Sequence, residues 1–311
     1  MAQSEPVGVI DIGTLKVKLL IAKPQTKTTY TILHESNQLT GLGVRMHENN
    51  NRPFPEKLDA TIAELARCKS LLKTEGVKRV RVVSTHALRE MGVIGKEIAE
   101  TIHKKVGFKV EIISQNEEAD LFFKAVIGDF ASNRDYTVID VGGGSVQVLI
   151  GNREELKHTF LLKTGSQRLH DVFSPRHTGS DFPKRSEIRK MKQYILTELL
   201  PVPERIGTPL IVGSSCIIDI YKAMKINLAE FSDSPSHPYK TELSELEGFL
   251  ESVIPMPYDT REQTYKNNYR YYMWGIDKAL LNVTGIARRV GAPYVIPSNA
   301  NINKGLVLSL L

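Results

Sequence analysis

The sequence predicts an α/β protein that contains two copies of one arrangement of strands and helices. The first part of the chain gives the order β-β-β-α-β-α-β-α, which is typical of a mixed sheet covered by helices. The segments "VIDIGTLKVKLLIA" (9–22) and "VIDVGGGSVQVLIG" (138–151) then share one pattern. They lie roughly 130 residues apart, about one domain length. We therefore predict two duplicated domains, residues 1–127 and 128–311.

The first copy opens with a β-rich hairpin and a third strand, "TTYTILHES". A helix follows, because apolar residues recur at helical spacing and Gly76 is a good helix stop. Two strands, "VRVVST" and "FKVEIIS", then alternate with helices over 94–106 and 116–128. The apolar positions that predict the first two helices are Leu58, Ile62, Leu65, Cys68 and Leu72, and then Ile94, Ile98, Ile102 and Val106.

The second copy repeats the strand, turn, strand and third strand, the last being "ELKHTFLLKT". Helices are predicted around 165–173 and 184–199, followed by the strand "PLIVGSS" and a helix over about 215–225. The polar, proline-broken stretch 229–240 predicts a loop. A helical region (241–289), the short strand "PYVIP" and a last helix from about 302 complete the predicted order.

Composition narrows the class of protein. Hydrophobic residues are 41% and charged residues 24%, the balance of a soluble globular chain. Two distant cysteines make a disulfide framework improbable, so a cytoplasmic protein is expected. No run reaches the ~18 apolar residues of a membrane helix, and no signal peptide is recognisable. The net charge of +6 is compatible with a polyanionic ligand, although nucleic acid is not expected.

The two hairpin turns are the main candidates for function. In the second copy, Asp140 precedes Gly142, Gly143, Gly144 and Ser145. Glycine lets a phosphate approach the backbone and lets successive N–H groups point at one anion. A carboxylate beside a phosphate requires a cation or a positioned water between them, most often Mg²⁺. Asp11, Gly13 and Thr14 repeat this logic in the first copy. A tight hairpin with a capping Asp is the structural alternative.

Further candidates follow other strands. Ser84 and Thr85 end a strand, and the next helix carries Arg89, whose planar fork suits phosphate oxygens. Glu117 and Glu118 start another helix, where neighbours point about 100° apart, so at most one carboxylate faces a given site. A Glu orients or deprotonates a water, but acidic residues also favour a first helical turn. The turn at 210–215, "LIVGSS", is a weaker phosphate candidate.

Taken together in chain order, these motifs resemble the exopolyphosphatase / guanosine pentaphosphate phosphohydrolase (Ppx/GppA) family. The resemblance rests on "DIGTLKVKLL", "STHALRE", "ISQNEEA", "DVGGGSVQV" and "FLLKTGSQRLHDVF". It implies two ribonuclease-H-like domains of the actin-like ATPase and sugar-kinase superfamily, with a cleft between them. It further implies Mg²⁺-dependent release of terminal phosphate from inorganic polyphosphate or guanosine pentaphosphate, and a homodimer.

Carried over by position, the resemblance assigns individual roles. Glu117 would be the catalytic carboxylate, and Asp140 and Asp11 would bind the metal. The implied phosphate-binding residues are Gly13, Thr14, Arg89, Gly143, Gly144 and Ser145.

Four turns depart from the usual family pattern: Leu15-Lys16, Val146-Gln147, Gln115, and Gly213 to Cys216. A hydrolase is therefore the first hypothesis, and a non-catalytic binder of polyphosphate or an alarmone is the alternative. A phosphotransferase of the same fold is a third hypothesis.

Overall fold

A computed structural model describes residues 5–26, 29–214, 216–266 and 272–311. The strands in these ranges are β1 Val7–Ile12, β2 Lys16–Pro24, β3 Tyr30–Leu39, β4 Arg79–Ser84, β5 Val110–Ile112, β6 Tyr136–Val141, β7 Val146–Gly151, β8 Leu156–Leu162, β9 Leu210–Gly213, β10 Ala229–Glu230, β11 Tyr239–Lys240 and β12 Val295–Ser298. The α-helices are α1 Pro55–Thr74, α2 His86–Glu90, α3 Val93–Val106, α4 Gln115–Ile127, α5 Ser166–Phe173, α6 Arg185–Glu198, α7 Ile217–Ala223, α8 Leu243–Val253, α9 Tyr258–Thr264, α10 Ile276–Val290 and α11 Ile302–Leu308.

The chain forms two compact units. In the first, the described strands make one five-stranded sheet in the order β3-β2-β1-β4-β5. The β1–β2 and β2–β3 pairs are antiparallel, whereas β1–β4 and β4–β5 are parallel. Apolar side chains of β1 and β2 pack against those of α1 and α3 to form its main core. β1 is buried at all six positions, because its alternate residues pack in two different apolar clusters.

The second unit repeats this topology. Its described strands form a five-stranded sheet in the order β12-β9-β6-β7-β8, again with an antiparallel hairpin beside parallel strands. Helices α6, α7, α8 and α10 cover one face through a large apolar cluster. The predicted α/β fold class with duplicated halves is confirmed. None of the described helices combines the length and the apolar character needed to span a lipid bilayer.

The two compact units differ in extent from the two predicted domains. Unit one comprises residues up to Ala125 together with Ile302–Leu311, and unit two comprises Val126–Asn301. The internal boundary therefore lies within two residues of the predicted one, but the last ten residues belong with the first sheet. The reason is packing: Ile302, Leu306 and Val307 of α11 join the apolar cluster of β1. Predicted loop 229–240 also contains a short hairpin, because β10 and β11 pair antiparallel.

A chain of buried hydrogen bonds crosses the second unit behind the end of β12. Ala300 N donates to Ser298 Oγ (3.1 Å), which lies 2.6 Å from His237 Nε2. His237 Nδ1 lies 2.7 Å from Ser234 Oγ, and that hydroxyl donates to Asp129 Oδ1 at 2.6 Å. Burial alone would raise the pKa of Asp129, but the hydrogen bonds from His237 and its neighbours hold that pKa well below the usual range.

A second polar cluster lies in the core, where α5, α9 and α10 meet. Arg261, Asp277 and Lys278 are fully buried. Asp277 forms ion pairs with Arg261 at 3.1 Å and with Lys278 at 3.2 Å. The side chains of Arg261 and Lys278 also make cation–π contacts with the ring of Tyr258. His170 of α5 packs beside this cluster and is almost completely buried. Burial, and then the positive charge of Lys278, lower the pKa of His170 from the usual 6.5 to about 3.

This depressed pKa predicts an acid-sensitive fold. Between pH 6.5 and about 3 the unfolded chain binds a proton at His170 and the folded chain does not. The free energy of unfolding should therefore fall by up to about 1.4 kcal/mol for each pH unit below 6.5, with no such cost above it. His170→Phe keeps a packed ring and removes the titrating group, so its stability should decline less steeply.

Urea unfolding at pH 7.5, 6.5, 5.5 and 4.5 measures the slope, with His103→Gln as the control because His103 is exposed on α3. An unchanged slope in His170→Phe would contradict this account.

Candidate functional site

The two hairpin turns have the same local geometry. In the first, Gly13 N donates to Lys16 O at 2.9 Å; in the second, Gly142 N donates to Ser145 O at 3.0 Å. Each bond closes the turn between two antiparallel strands, β1–β2 and β6–β7. The internal repeat in the sequence therefore corresponds to a repeated hydrogen-bonded turn.

In the second unit, the segment Gly142–Ser145 (the glycine loop) is held by the start of α5. Ser166 N donates to Gly142 O, and Arg168 N donates to Gly143 O, both at 3.0 Å. The loop carbonyls are thus bound to helix N–H groups that would otherwise lack partners. Within the described part of the chain, no hydrogen bond is found from the N–H groups of Gly143 and Gly144. Donors left open beside a strand end are what an anion requires.

Gly165 makes this arrangement possible. A Cβ atom at this position would lie 2.4 Å from Gly143 O, Gly144 C and Ser145 N. These are backbone atoms, which have no flexible end to move aside. The residue before α5 must therefore be glycine if the glycine loop is to keep its place.

The first turn is held by a different segment. Gly43 N donates to Thr14 O at 3.0 Å, and Leu15 O accepts from Thr40 N and Gly41 N. As in the second unit, the turn carbonyls are occupied, and the described residues include no hydrogen bond from the N–H groups of Thr14 and Leu15. Of the two predicted phosphate-binding residues, Gly13 already donates its N–H to Lys16 O, whereas the N–H of Thr14 has no such bond within the described residues.

The carboxylate of Asp11 is buried and has protein partners. Lys18 Nζ lies 3.2 Å from Asp11 Oδ2, and Thr85 Oγ1 donates to Asp11 Oδ1 at 3.5 Å. Lys18 is the residue directly opposite Asp11 in the hairpin register. Because the ammonium group already neutralises the carboxylate, this pair does not fit a divalent cation. Lys18 is not among the predicted site residues, although hairpin pairing across the turn indicates it.

In the second unit, Gln147 occupies the equivalent position opposite Asp140. Gln147 is only 3% exposed, and its Oε1 atom is buried without a hydrogen-bond partner. The turn after β9 approaches the same carboxylate through Tyr272. Burial raises the pKa of Tyr272, nearby Cys216 and Asp140 raise it further, and a hydrogen bond with Ser214 opposes them. Ser215, part of the predicted "LIVGSS" turn, lies outside the described residues.

Arg89 and the two adjacent glutamates separate into two ion pairs. Arg89 Nη1 lies 2.9 Å from Glu118 Oε2 and donates to Ile113 O at 3.1 Å. Glu117 instead pairs with Arg81 at 2.6 Å, and its side chain is 44% exposed. The first turn of α4 therefore directs one carboxylate towards the predicted phosphate-binding arginine and the other towards solvent. The contacts bring Glu118, not Glu117, to Arg89.

The donor set around Asp140 bears on the expected Mg²⁺. Among the described residues, no group of three or more His, Cys, Asp or Glu side chains is placed to hold a metal ion. Asp140, the amide oxygen of Gln147 and the hydroxyl of Ser145 are oxygen donors on or beside one turn. Mg²⁺ is commonly bound by one or two carboxylates together with substrate phosphates and waters. The residues fit a cation of that kind, with Asp140 as its charged ligand.

A sequence profile described as the Ppx/GppA phosphatase family matches residues 20–267, most of the chain. The chain belongs to the Ppx/GppA family. The predicted family is thereby confirmed. Exopolyphosphatase 2 of Mycobacterium tuberculosis is 28% identical over 205 residues, which cover 63% of this chain and 62% of that protein. Exopolyphosphatase 1 of Mycobacterium leprae is 25% identical and is covered to 56%. The chain thus spans less than two thirds of these curated relatives.

Solved structures of Ppx/GppA proteins share the fold over nearly the full length. An exopolyphosphatase from Cytophaga hutchinsonii superposes with a TM-score of 0.83 at 21% identity, covering 98% of this chain and 97% of that one. The Aquifex aeolicus family member gives a TM-score of 0.78, also at 21% identity, with 98% and 97% covered. At this identity the likeness establishes the fold, in agreement with the predicted duplicated architecture.

The close packing at Gly165 gives a direct test of the loop geometry. Gly165→Ala should lower the free energy of unfolding by about 1–3 kcal/mol, because the new methyl group forces backbone atoms apart. It should also weaken the binding of tripolyphosphate, which calorimetry measures.

Gly248→Ala on α8 is the matched control, because a Cβ there meets no atom within 4 Å. It should be neutral or stabilising by up to about 1 kcal/mol. Equal stability of the two variants would rule out the close approach at Gly165.

Proposed function

We propose that this chain is a Mg²⁺-dependent phosphoanhydride hydrolase that releases the terminal phosphate of inorganic polyphosphate, with guanosine pentaphosphate as the second substrate class. Family membership supports the reaction class, and the relatives named exopolyphosphatase favour polyphosphate. The observation that carries the proposal is the glycine loop, whose carbonyls are bound to α5 while two N–H groups beside Asp140 remain as donors.

The roles follow from the contacts. In the second unit, the N–H groups of Gly143 and Gly144 are the proposed donors to phosphate oxygens. In the first unit, the N–H group of Thr14 and the planar guanidinium group of Arg89 are donors of the same kind. Bound Mg²⁺ would neutralise phosphate charge, with Asp140 as its carboxylate ligand. The hydrolysis of a phosphoanhydride depends mainly on positioning and charge stabilisation, which is what rigid backbone donors provide.

The geometry favours Glu118 as the carboxylate that orients water. It lies against Arg89 and is largely buried, with 13% of its side chain exposed. A water held between this carboxylate and a phosphate bound by Arg89 would be oriented for attack. By position, the family resemblance predicts Glu117 as the catalytic carboxylate, and that remains a prediction. Its side chain is 44% exposed and pairs with Arg81.

A second candidate function is the binding of a polyphosphorylated ligand without turnover. The Lys18–Asp11 pair favours it, because a neutralised carboxylate is a poor metal ligand. The neutral side chain of Gln147 opposite Asp140 favours it as well. Binding without phosphate release would establish this alternative.

Phosphate release from polyphosphate, with and without Mg²⁺, tests the proposal. Glu118→Gln should lower the rate by about 10²–10⁴-fold, because it removes the group that orients water. Glu117→Gln should retain most of the activity, since its half-exposed carboxylate pairs with Arg81 and not with Arg89.

The reverse ranking of the two variants would assign the role to Glu117 instead. Full activity in both would contradict the use of either carboxylate. If the unaltered protein releases no phosphate from polyphosphate or guanosine pentaphosphate, calorimetry with the same ligands separates a binder from a protein without this function.

A further inference from the structure

We propose that the cation site at Asp140 is incomplete without the phosphate ligand, and that Gln147 makes it so. On this view the protein binds a divalent cation as its phosphate complex and does not hold the free ion. The inference rests on the proposed function, because it concerns the same glycine loop. It assigns Gln147 as a residue that determines how the cation is bound.

The first step is the position of Gln147. Asp140 and Gln147 are directly opposite each other in the antiparallel β6–β7 register. Side chains opposite each other lie on the same face, with Cβ atoms roughly 5 Å apart. The amide of Gln147 is therefore placed beside the carboxylate of Asp140 by the backbone alone.

The second step is that the side-chain carbonyl oxygen of Gln147 has no hydrogen-bond partner within the described part of the fold. Only 3% of the residue is exposed, and Oε1 is buried without a partner. Buried polar side-chain atoms are nearly always hydrogen-bonded, and an unsatisfied one is destabilising. A buried amide oxygen beside a strand-end carboxylate is thus available to a cation, or to the water of a hydrated cation.

The third step is the charge of the cross-strand row that Gln147 and Asp140 form with Gly213 and Ser298. The register continues from Asp140 to Gly213 and from there to Ser298. Gly213 has no side chain, and the hydroxyl of Ser298 is engaged with His237. The row therefore offers one carboxylate and one neutral amide oxygen. Mg²⁺ loses its bound waters reluctantly and usually takes its other ligands from phosphate oxygens. One carboxylate therefore gives only weak binding of the free ion.

The first hairpin fills the same cross-strand position differently. The residue that corresponds to Gln147 is Lys18, whose ammonium group is 3.2 Å from Asp11. In the second unit, the row of Gln147, Asp140, Gly213 and Ser298 contains one carboxylate. On this proposal the remaining negative charge comes with the phosphate ligand.

The test compares cation binding with and without phosphate. Mn²⁺ alone is titrated into the full chain and followed by electron paramagnetic resonance. Tripolyphosphate is titrated by calorimetry with and without Mg²⁺. The unaltered protein should bind Mn²⁺ alone only weakly, while Mg²⁺ should tighten tripolyphosphate binding at least about fivefold, the lower range of such couplings.

Gln147→Glu adds a charge with almost no change in shape. It should bind Mn²⁺ alone at least about tenfold more tightly than the unaltered protein, which corresponds to about 1.4 kcal/mol. Gln147→Met removes the oxygen donor and should reduce the Mg²⁺ dependence of tripolyphosphate binding. Gln38→Glu is the control for net charge, because Gln38 is exposed on β3. It should behave as the unaltered protein does.

Tight binding of Mn²⁺ alone by the unaltered protein would overturn the inference, as would identical cation binding in Gln147→Glu. Absence of Mn²⁺ and Mg²⁺ effects in every arm would overturn it too. The proposed function fails separately, if the unaltered protein neither releases phosphate nor binds tripolyphosphate. Thermal unfolding of each variant shows whether it is folded before its binding is compared.

Discussion

The contact between Gly165 and the glycine loop is the constraint on which the second unit's site depends. Two backbone segments approach so closely that no side chain fits between them. This contact binds the loop carbonyls to α5 and turns the peptide N–H groups the other way. The orientation of the donors is therefore set by main-chain packing, which does not reorganise when an anion arrives. Rigid donors of this kind are what electrostatic stabilisation of phosphoryl transfer requires.

The two copies of the hairpin share a backbone structure but differ in the side chain that lies opposite the strand-end Asp. The turn hydrogen bond, the strand pairing and the Asp at the strand end are the same in both copies. The residue opposite that Asp differs: Lys18 forms an ion pair with Asp11, whereas the neutral Gln147 lies opposite Asp140. A single cross-strand position thus places a charged partner opposite the Asp in one turn and a neutral amide in the other, within the same strand pairing.

Much of this architecture was readable from the sequence, since local patterns determine it. Hydrophobic periodicity predicted the strands and the long helices, and the repeated Val-Ile-Asp-aliphatic-Gly pattern predicted the duplication. The features that could not be predicted depend on the direction in which a side chain points or on packing between segments that are distant in the chain. Which of Glu117 and Glu118 meets Arg89 depends on the phase of α4, and adjacent residues differ by about 100°. The return of α11 to the first sheet depends on apolar complementarity with β1, far away in the chain.

That return has a consequence for the order in which the protein is built. The second unit is continuous in the chain, whereas the first is completed by Ile302–Leu311. During synthesis, domains fold as their residues emerge from the ribosome. The apolar surface of β1 and β2 that α11 covers therefore stays open until the whole second unit has been made. The earlier-synthesised half of this duplicated protein is the later one to be finished.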